Sequence, residues 1–176
     1  LSNLVWSTYY GGSNNDACYS VKIDSLHNFV VAGGTSSNDL FITPGTWQQT
    51  YNGGKTDGFI FKLDPSGINV SAATYVGTAN YDQTFFVEID RNNNVFVVGQ
   101  SEGGLFPVIN AGYVNLGSSQ FVAKFDPDLV SPINSTVFGN GTSTINISPS
   151  AFLVDICGNI YVSGWGANIL QSTLLS

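Results

Sequence analysis

The sequence has few positively charged residues. Five lysines and arginines stand against twelve aspartates and glutamates, which gives a net charge of −7 at pH 7. The five cations are scattered singly along the chain: Lys22, Lys55, Lys62, Arg91 and Lys124. Binding to a nucleic-acid backbone or to an anionic membrane surface requires a cluster of positive charge. The composition therefore argues against both of these partner classes.

The chain also lacks the features of a membrane-spanning segment and of common catalytic sites. No apolar run approaches the roughly 20 residues of a transmembrane helix. No Gly-x-Ser-x-Gly motif, phosphate-binding loop or Cys/His cluster is present, and the single histidine, His27, falls in a predicted turn. Cys18 and Cys157 match no metal-ligand spacing. We expect two separate, buried or half-buried thiols, no catalytic residue and no cofactor.

What the sequence does contain is an internal repeat of about 65 residues. Asp24, Asp90 and Asp155 recur at intervals of 66 and 65 residues, and other residues recur at the same intervals or at an interval of 62 residues. Because these identities recur at one register, we interpret them as structural positions. They are Gly11, Gly77 and Gly139; Asp24, Asp90 and Asp155; Asn28, Asn94 and Asn159; Gly33, Gly99 and Gly164; Lys62 and Lys124; and Asp64 and Asp126.

Each repeat contains four short runs rich in β-branched and aromatic residues, separated by Gly, Asn, Asp and Pro. Such runs are typical of strands, and short loops between them predict antiparallel neighbours. A four-stranded sheet cannot bury both faces alone, and stacking such sheets around an axis gives a β-propeller of about four to eight blades. The predicted fold is therefore all-β, with tandem four-stranded antiparallel blades.

The repeat also predicts how the chain is divided. Residues 1–15 are expected to be the last strand of a preceding blade and its connection, and residues 16–77 and 78–139 to be one blade each. Residues 140–176 would be a partial blade, all within one propeller domain. About two and two-thirds repeats cannot close a ring. Together with the absence of methionine, this predicts a fragment of a larger propeller.

Several motifs resemble the bacterial β-propeller repeat family known as SBBP. They are WSTYYGGS (residues 6–13), GTSSNDLF (34–41), TDGFIFKLDPSG (56–67) and FVAKFDP (121–127). The third repeat, DICGNIYVSGWG (155–166), resembles large secreted proteins of gliding-type bacteria. The resemblance implies an extracellular or cell-surface protein exported by a type IX secretion system, without assigned chemistry.

Some repeated and aromatic residues have an alternative, functional interpretation. The turn aspartates Asp24, Asp90 and Asp155 carry oxygen ligands of the kind that calcium prefers, although a structural role in a hairpin would also explain them. Trp47 and Tyr113 could stack on sugars, but their equivalent placement in two repeats favours packing. Trp165 is expected to be more exposed.

The function predicted from these observations is a non-enzymatic structural or adhesive module. Its partners would be other repeats of the same larger protein and a surface glycan or protein, bound through loops such as residues 48–55, which differ between repeats. Two alternatives stay open at this point. One is a polysaccharide-active enzyme with a site in the propeller channel; the other is a self-assembling component of a filament or surface layer.

Overall fold

The computed structural model describes residues 3–166, and within that range it is all-β, as predicted. Apart from a short 3-10 turn at Glu102–Gly104, no helix occurs in these residues. The described residues therefore contain no helix that could cross a membrane. The strands are β1 (Asp16–Ile23), β2 (Phe29–Thr35), β3 (Asp57–Leu63), β4 (Val70–Val76), β5 (Asp82–Ile89), β6 (Val95–Ser101), β7 (Gln120–Phe125), β8 (Pro132–Phe138), β9 (Ile147–Val154) and β10 (Ile160–Gly166).

These strands form three antiparallel sheets in which consecutive strands are neighbours. The first sheet has the order β1-β2-β3-β4, the second has β5-β6-β7-β8, and β9 pairs with β10. The first two sheets share one register: Val31 lies opposite Val21 and Phe61, and Val97 lies opposite Val87 and Ala123. The internal repeat of the sequence is therefore a repeat of sheets.

The sheets stack face to face, and their main core lies between them. On the first sheet, Val30, Ala32 and Ile60 are fully buried in one cluster with Val97 and Phe121 of the second sheet. The opposite face of the second sheet is covered in the same way by β9, where Phe152 packs with Phe96 and Val98. The second sheet thus buries apolar side chains against a neighbouring sheet on both faces, which an isolated sheet could not do.

The outer edge of each four-stranded sheet is covered by its own long connection. Between β2 and β3, the Thr43 N–H donates to the Ala73 carbonyl at 3.3 Å, and the Tyr75 N–H donates to the Gln48 carbonyl at 3.0 Å. In the second sheet, Ile109 and Ser135 form the corresponding bridge. This cover satisfies an otherwise open strand edge. Gln48, the first residue of the variable segment 48–55, is buried here; partner binding through this segment stays a prediction.

That residues 1–15 are the last strand of a preceding blade and its connection stays a prediction. Within the described residues, 3–15 form no strand. The physical reason is that a strand requires a partner backbone, and no described strand lies beside this segment. Trp6 and Tyr10 instead pack across the first sheet, against Phe29 and Phe61. In the third repeat, residues 167–176 of the predicted partial blade lie outside the described residues.

The repeated glycines of the second strand face β-bulges in the neighbouring strand. A Cβ atom on Gly33 would lie 2.1 Å from the carbonyl oxygen of Ala17, and one on Gly99 would lie 2.1 Å from that of Gln83. The register of the ladder shifts beside both contacts, between Cys18 and Ser20 and at the equivalent place in β5. The repeat therefore keeps glycine where the bulge brings two backbones together.

Replacing Gly99 with alanine should destabilise the fold by about 1–3 kcal/mol, because the added methyl group must displace backbone or the ring of Phe121. Gly112→Ala is the matched control, since a Cβ atom added there would have no other atom within 4 Å, and it should change stability by less than about 0.5 kcal/mol. Urea unfolding measures both. Equal stability of the two variants would contradict this explanation of the repeated glycine.

Candidate functional site

The repeated polar residues collect at one end of the sheets, which we call the turn rim. It consists of the β1–β2, β5–β6 and β9–β10 hairpin turns (residues 24–28, 90–94 and 155–159) and the β3–β4 and β7–β8 turns (64–69 and 126–131). Antiparallel order places all of these turns at the same end. The rim is therefore the natural place to test whether the repeated aspartates form a binding site.

Asp24 shows how such a turn is built. Its Oδ1 accepts hydrogen bonds from the N–H groups of Leu26 at 2.9 Å and Asn28 at 2.8 Å. Its Oδ2 accepts from Nδ2 of Asn28 at 2.9 Å and faces the Lys62 ammonium at 3.1 Å. Burial alone would raise the pKa of Asp24, but the Asn28 hydrogen bonds and the Lys62 charge outweigh it and hold that pKa below its ordinary value.

The same hydrogen-bond pattern recurs in the other two repeats. Asp90 accepts from the backbone and side-chain nitrogens of Asn94 at 2.9 and 2.8 Å. Asp155 accepts from the two nitrogens of Asn159 at 2.9 and 2.8 Å, and from the Tyr161 hydroxyl at 3.2 Å. The repeated Asp-x-x-x-Asn pattern is therefore a self-contained turn in which the amide of one residue closes onto the carboxylate of the other.

The residue before each repeated asparagine adopts the left-handed conformation. The φ angles are 66° at His27, 62° at Asn93 and 84° at Gly158. The repeated asparagines Asn28, Asn94 and Asn159 are not among the described residues with positive φ. His27 therefore lies in the β1–β2 turn, as predicted.

The repeated lysines tie the turn rim to the third strand of each sheet. The Lys62 ammonium lies 3.1 Å from Oδ2 of Asp24 and 3.1 Å from the carbonyl oxygen of Pro127, so it also links the first sheet to the second. Lys124 repeats the first contact, 3.0 Å from Oδ2 of Asp90. Both lysines serve as internal counter-ions, which explains their recurrence.

Asp64 and Asp126 organise the remaining turns of the rim. Asp64 accepts hydrogen bonds from the Ser66 hydroxyl at 2.7 Å and from Nδ2 of Asn69 at 2.7 Å, and these bonds hold its pKa well below the ordinary value. Asp126 accepts from the Ser131 N–H at 2.5 Å. Their positions in the repeat therefore also reflect turn chemistry.

Neighbouring hairpins are joined side by side along the rim. The Ser25 N–H donates to Oδ1 of Asn93 at 3.0 Å, and Nδ2 of Asn93 donates back to the Ser25 hydroxyl at 2.8 Å. Further along, the Arg91 guanidinium donates to the carbonyl oxygen of Ile156. The turn rim is thus a continuous hydrogen-bonded row across three sheets.

This row leaves the turn carboxylates committed to internal partners. A calcium ion at Asp24 would have to displace amide donors and the Lys62 ammonium, and in the part of the chain that the structure describes no three acidic, histidine or cysteine residues are grouped so as to hold a metal. Calcium at Asp24, Asp90 and Asp155 stays a prediction of the sequence. The geometry supports the structural role.

The opposite end of the sheets carries a second set of aspartates. Oδ2 of Asp16 accepts from the Gly12 N–H at 2.8 Å, and Oδ2 of the equivalent Asp82 accepts from the N–H of Thr78 at 2.7 Å. Each bond holds the segment that enters a first strand. Gly11 and Gly77 begin the segments that lead into β1 and β5, and Gly139 begins the corresponding segment after β8.

Asp57 was not singled out by sequence reasoning, yet its carboxylate has an unusual environment. It is fully buried in β3. Its Oδ2 accepts hydrogen bonds from the Asn52 N–H at 2.8 Å and from Nε2 of Gln48 at 3.1 Å, while its Oδ1 has no partner among the described residues. Burial, with a contribution from the charge of Asp82, raises the pKa of Asp57 to about 7. Asp57 has no acidic counterpart in the second repeat, so the repeat pattern could not reveal it.

The aromatic candidates have different surroundings. Trp47 packs between the first two sheets, 5.2 Å from Phe125 and 6.4 Å from Phe106 between ring centroids, so its predicted packing role is confirmed. Tyr113 is half-exposed in a groove between the second and third sheets, and Trp165 is exposed, as expected. Tyr113 corresponds to Trp47 in the repeat, but it lines this groove beside β10 instead of filling a closed core.

The two cysteines are unpaired, as predicted, but both are exposed. The expectation of buried or half-buried thiols is therefore wrong. Cys18 lies on β1, the open edge strand of the first sheet, and Cys157 lies in the β9–β10 turn. Edge strands and turns expose side chains that a central strand would bury.

Comparison with protein-family models found no match, and comparison with curated proteins found none either. The geometry of the described residues is therefore the basis for the functional argument that follows.

Asp57 predicts a distinctive pH dependence. The folded protein holds the Asp57 proton up to about pH 7, while the unfolded chain releases it near the ordinary pKa of 3.8. Stability should therefore fall as pH rises between these values. The Asp57→Asn variant, which cannot ionise, should lose less free energy of unfolding than the parent between pH 5 and pH 8, as measured by urea unfolding.

Asp128→Asn is the matched control for this experiment. Asp128 is exposed, and its carboxylate accepts no hydrogen bond from the described residues. This variant should lose as much stability between the two pH values as the parent does. An Asp57→Asn variant that behaves like this control would contradict the buried-proton explanation.

Proposed function

We propose that the chain is a non-enzymatic structural and adhesive module of a secreted or cell-surface bacterial protein. The observation that carries this proposal is the use of the repeated polar residues: the turn carboxylates Asp24, Asp90 and Asp155 and the lysines Lys62 and Lys124 bind one another or the backbone. Chemistry-bearing side chains that recur in register and are occupied internally are typical of architecture, not of catalysis.

The stacking of the sheets supports a propeller as the finer description of the fold. Successive sheets present the same face in the same direction, and β5 packs against β1, β2 and β3 of the first sheet. In a β-propeller, the same packing of one sheet against the next is repeated around a central axis. We propose that these sheets are blades of a larger propeller whose remaining blades complete the ring.

The resemblance to SBBP repeats supports an extracellular location. On this proposal the protein is exported by a type IX secretion system and works beside other repeats of the same larger protein. A rigid, acidic surface carried by stacked sheets would then present loops to a glycan or protein on a cell surface.

The exposed part of the long connections is the best candidate for partner binding. Gln48 and its neighbours cover a sheet edge, but Phe41 of the first sheet and Leu105 and Leu116 of the second are 61%, 68% and 72% exposed. These apolar side chains lie in the β2–β3 and β6–β7 connections, where substitution does not disturb a sheet. We propose that they contact the partner surface.

The double variant Leu105→Ser/Leu116→Ser should lose attachment in a fixed-cell adhesion assay and on a panel of surface polysaccharides. Its free energy of unfolding should stay within about 0.5 kcal/mol of the parent. Leu26→Ser is the matched control, because Leu26 is also 68% exposed but lies on the turn rim.

Two results would contradict this proposal. Attachment that survives in the double variant would exclude the connections as the binding surface. Hydrolysis of any polysaccharide in the panel, abolished by Asp16→Asn or Asp82→Asn, would show that the module is an enzyme.

A further inference from the structure

The first sheet has one face that no other sheet covers. We call it the open face; it carries Val31, Phe59, Phe61 and Leu63, and it faces away from the second sheet. A groove of about 310 Å³ runs along it, with Trp6, Tyr10 and Tyr19 among its lining residues. Trp6 and Tyr10 pack over Phe59, Phe61 and Leu63, which are buried. On the β1 side of the groove, Tyr19 and Val21 are 44% and 56% exposed, so apolar surface stays in contact with water there.

The register of the sheets shows what the open face corresponds to. Phe59 lies opposite Gly33 in the first sheet, and Phe121 lies opposite Gly99 in the second. Phe121 is fully buried in the core between the two sheets. The open face of the first sheet is therefore the same face that the second sheet uses to bind the first.

Residues 3–10 lie across this open face at positions that match β4. With the 66-residue interval of the repeat, Trp6 corresponds to Ala72 and Tyr10 to Val76. Ala72 and Val76 belong to the core between the first and second sheets. Trp6 and Tyr10 likewise turn towards the sheet, with the Tyr10 ring centroid 3.9 Å from that of Phe61.

The intervening residues of this segment point the other way, as in a strand. Val5 is 90% exposed and Tyr9 is 100% exposed, and the backbone of residues 4–10 makes no hydrogen bond to another described residue. Trp6 and Tyr10, set against Val5 and Tyr9, therefore show the side-chain alternation of a fourth strand, and the backbone edge of the segment is unpaired.

We propose that the open face is a docking site for three antiparallel strands of another sheet of the same repeat, which take residues 4–10 as their fourth strand. The docking partner presents the small and β-branched side chains that Val30, Ala32 and Ile60 provide between the first and second sheets. Its third strand pairs with residues 4–10 as β3 pairs with β4. The inference rests on the proposed scaffold function.

The sequence provides a direct way to build this partner. Residues 16–68, joined directly to residue 3, supply β1, β2 and β3 of an added sheet and place residues 4–10 in the position of β4. Asn3 then takes the place of Asn69, an identical residue, and can close the turn at the added copy of Asp64 as Asn69 does at 2.7 Å. The extended chain is thus continuous in the repeat register.

Cys18 reports whether the added sheet docks. It lines the groove and is exposed, whereas Thr84, which corresponds to it in the second sheet, is fully buried. In the extended chain, with the added copy of Cys18 replaced by serine, the original Cys18 should react with a thiol reagent more slowly by a factor of about ten or more. Cys157 in the same molecule should react at its original rate.

A control tests whether protection requires the docking face. Replacing Ile60 with lysine in the added copy alone puts a charge at the interface, and it should restore the fast reaction of Cys18. Far-UV circular dichroism follows the strand content of the added residues. The proposal is overturned if Cys18 stays fully reactive in the extended chain, whether the added residues form strands or stay unfolded. Failure of the adhesion assay would leave Cys18 protection unchanged, so the two proposals fail separately.

Discussion

The structure depends on one constraint: a small sheet with two apolar faces must be covered on both. In β3, for example, every residue is buried, and Ile60 and Phe61 face opposite cores. A soluble sheet with a single buried face would alternate apolar and polar residues instead. Stacking of similar sheets solves the problem repeatedly, which is why the sequence repeats.

The stacking explains where the polar residues are found. With both faces occupied by apolar side chains, the charged residues are restricted to the ends of the strands and to the edges. There they satisfy turns, as Asp24 does with Asn28, or they cross between sheets, as Lys62 does with Pro127. Asp57 and Asp82 are exceptions, since each is fully buried and each has one carboxylate oxygen without a partner among the described residues.

Much of this organisation could be predicted because it is periodic. The interval between Asp24 and Asp90 predicts two equivalent hairpins, and the apolar runs predict the strands that they join; both are found. The structural use of Asp24 also follows from local turn chemistry, which acts over five residues. Local signals of this kind can be recognised in the sequence without knowledge of the tertiary structure.

The features that could not be predicted depend on contacts between distant segments. In the sequence, Gln48 belongs to an insertion that varies between repeats, yet in the structure it hydrogen-bonds to β4 and to Asp57. The exposure of Cys18 depends on which sheet face is covered, and periodicity alone does not specify that. Residues 4–10 have the pattern of a strand, but a strand forms only where another backbone can pair with it.

Native-state hydrogen exchange on a variant of the second sheet tests the central claim most directly. Val97→Asp places a charge in the core between the first two sheets, where Val97 is fully buried. If the sheets stabilise one another, the amides of β2 and β3 in the first sheet should lose protection together with those of β6 and β7. Unchanged protection in the first sheet would contradict the account, because it would show that this sheet is stable without its neighbour.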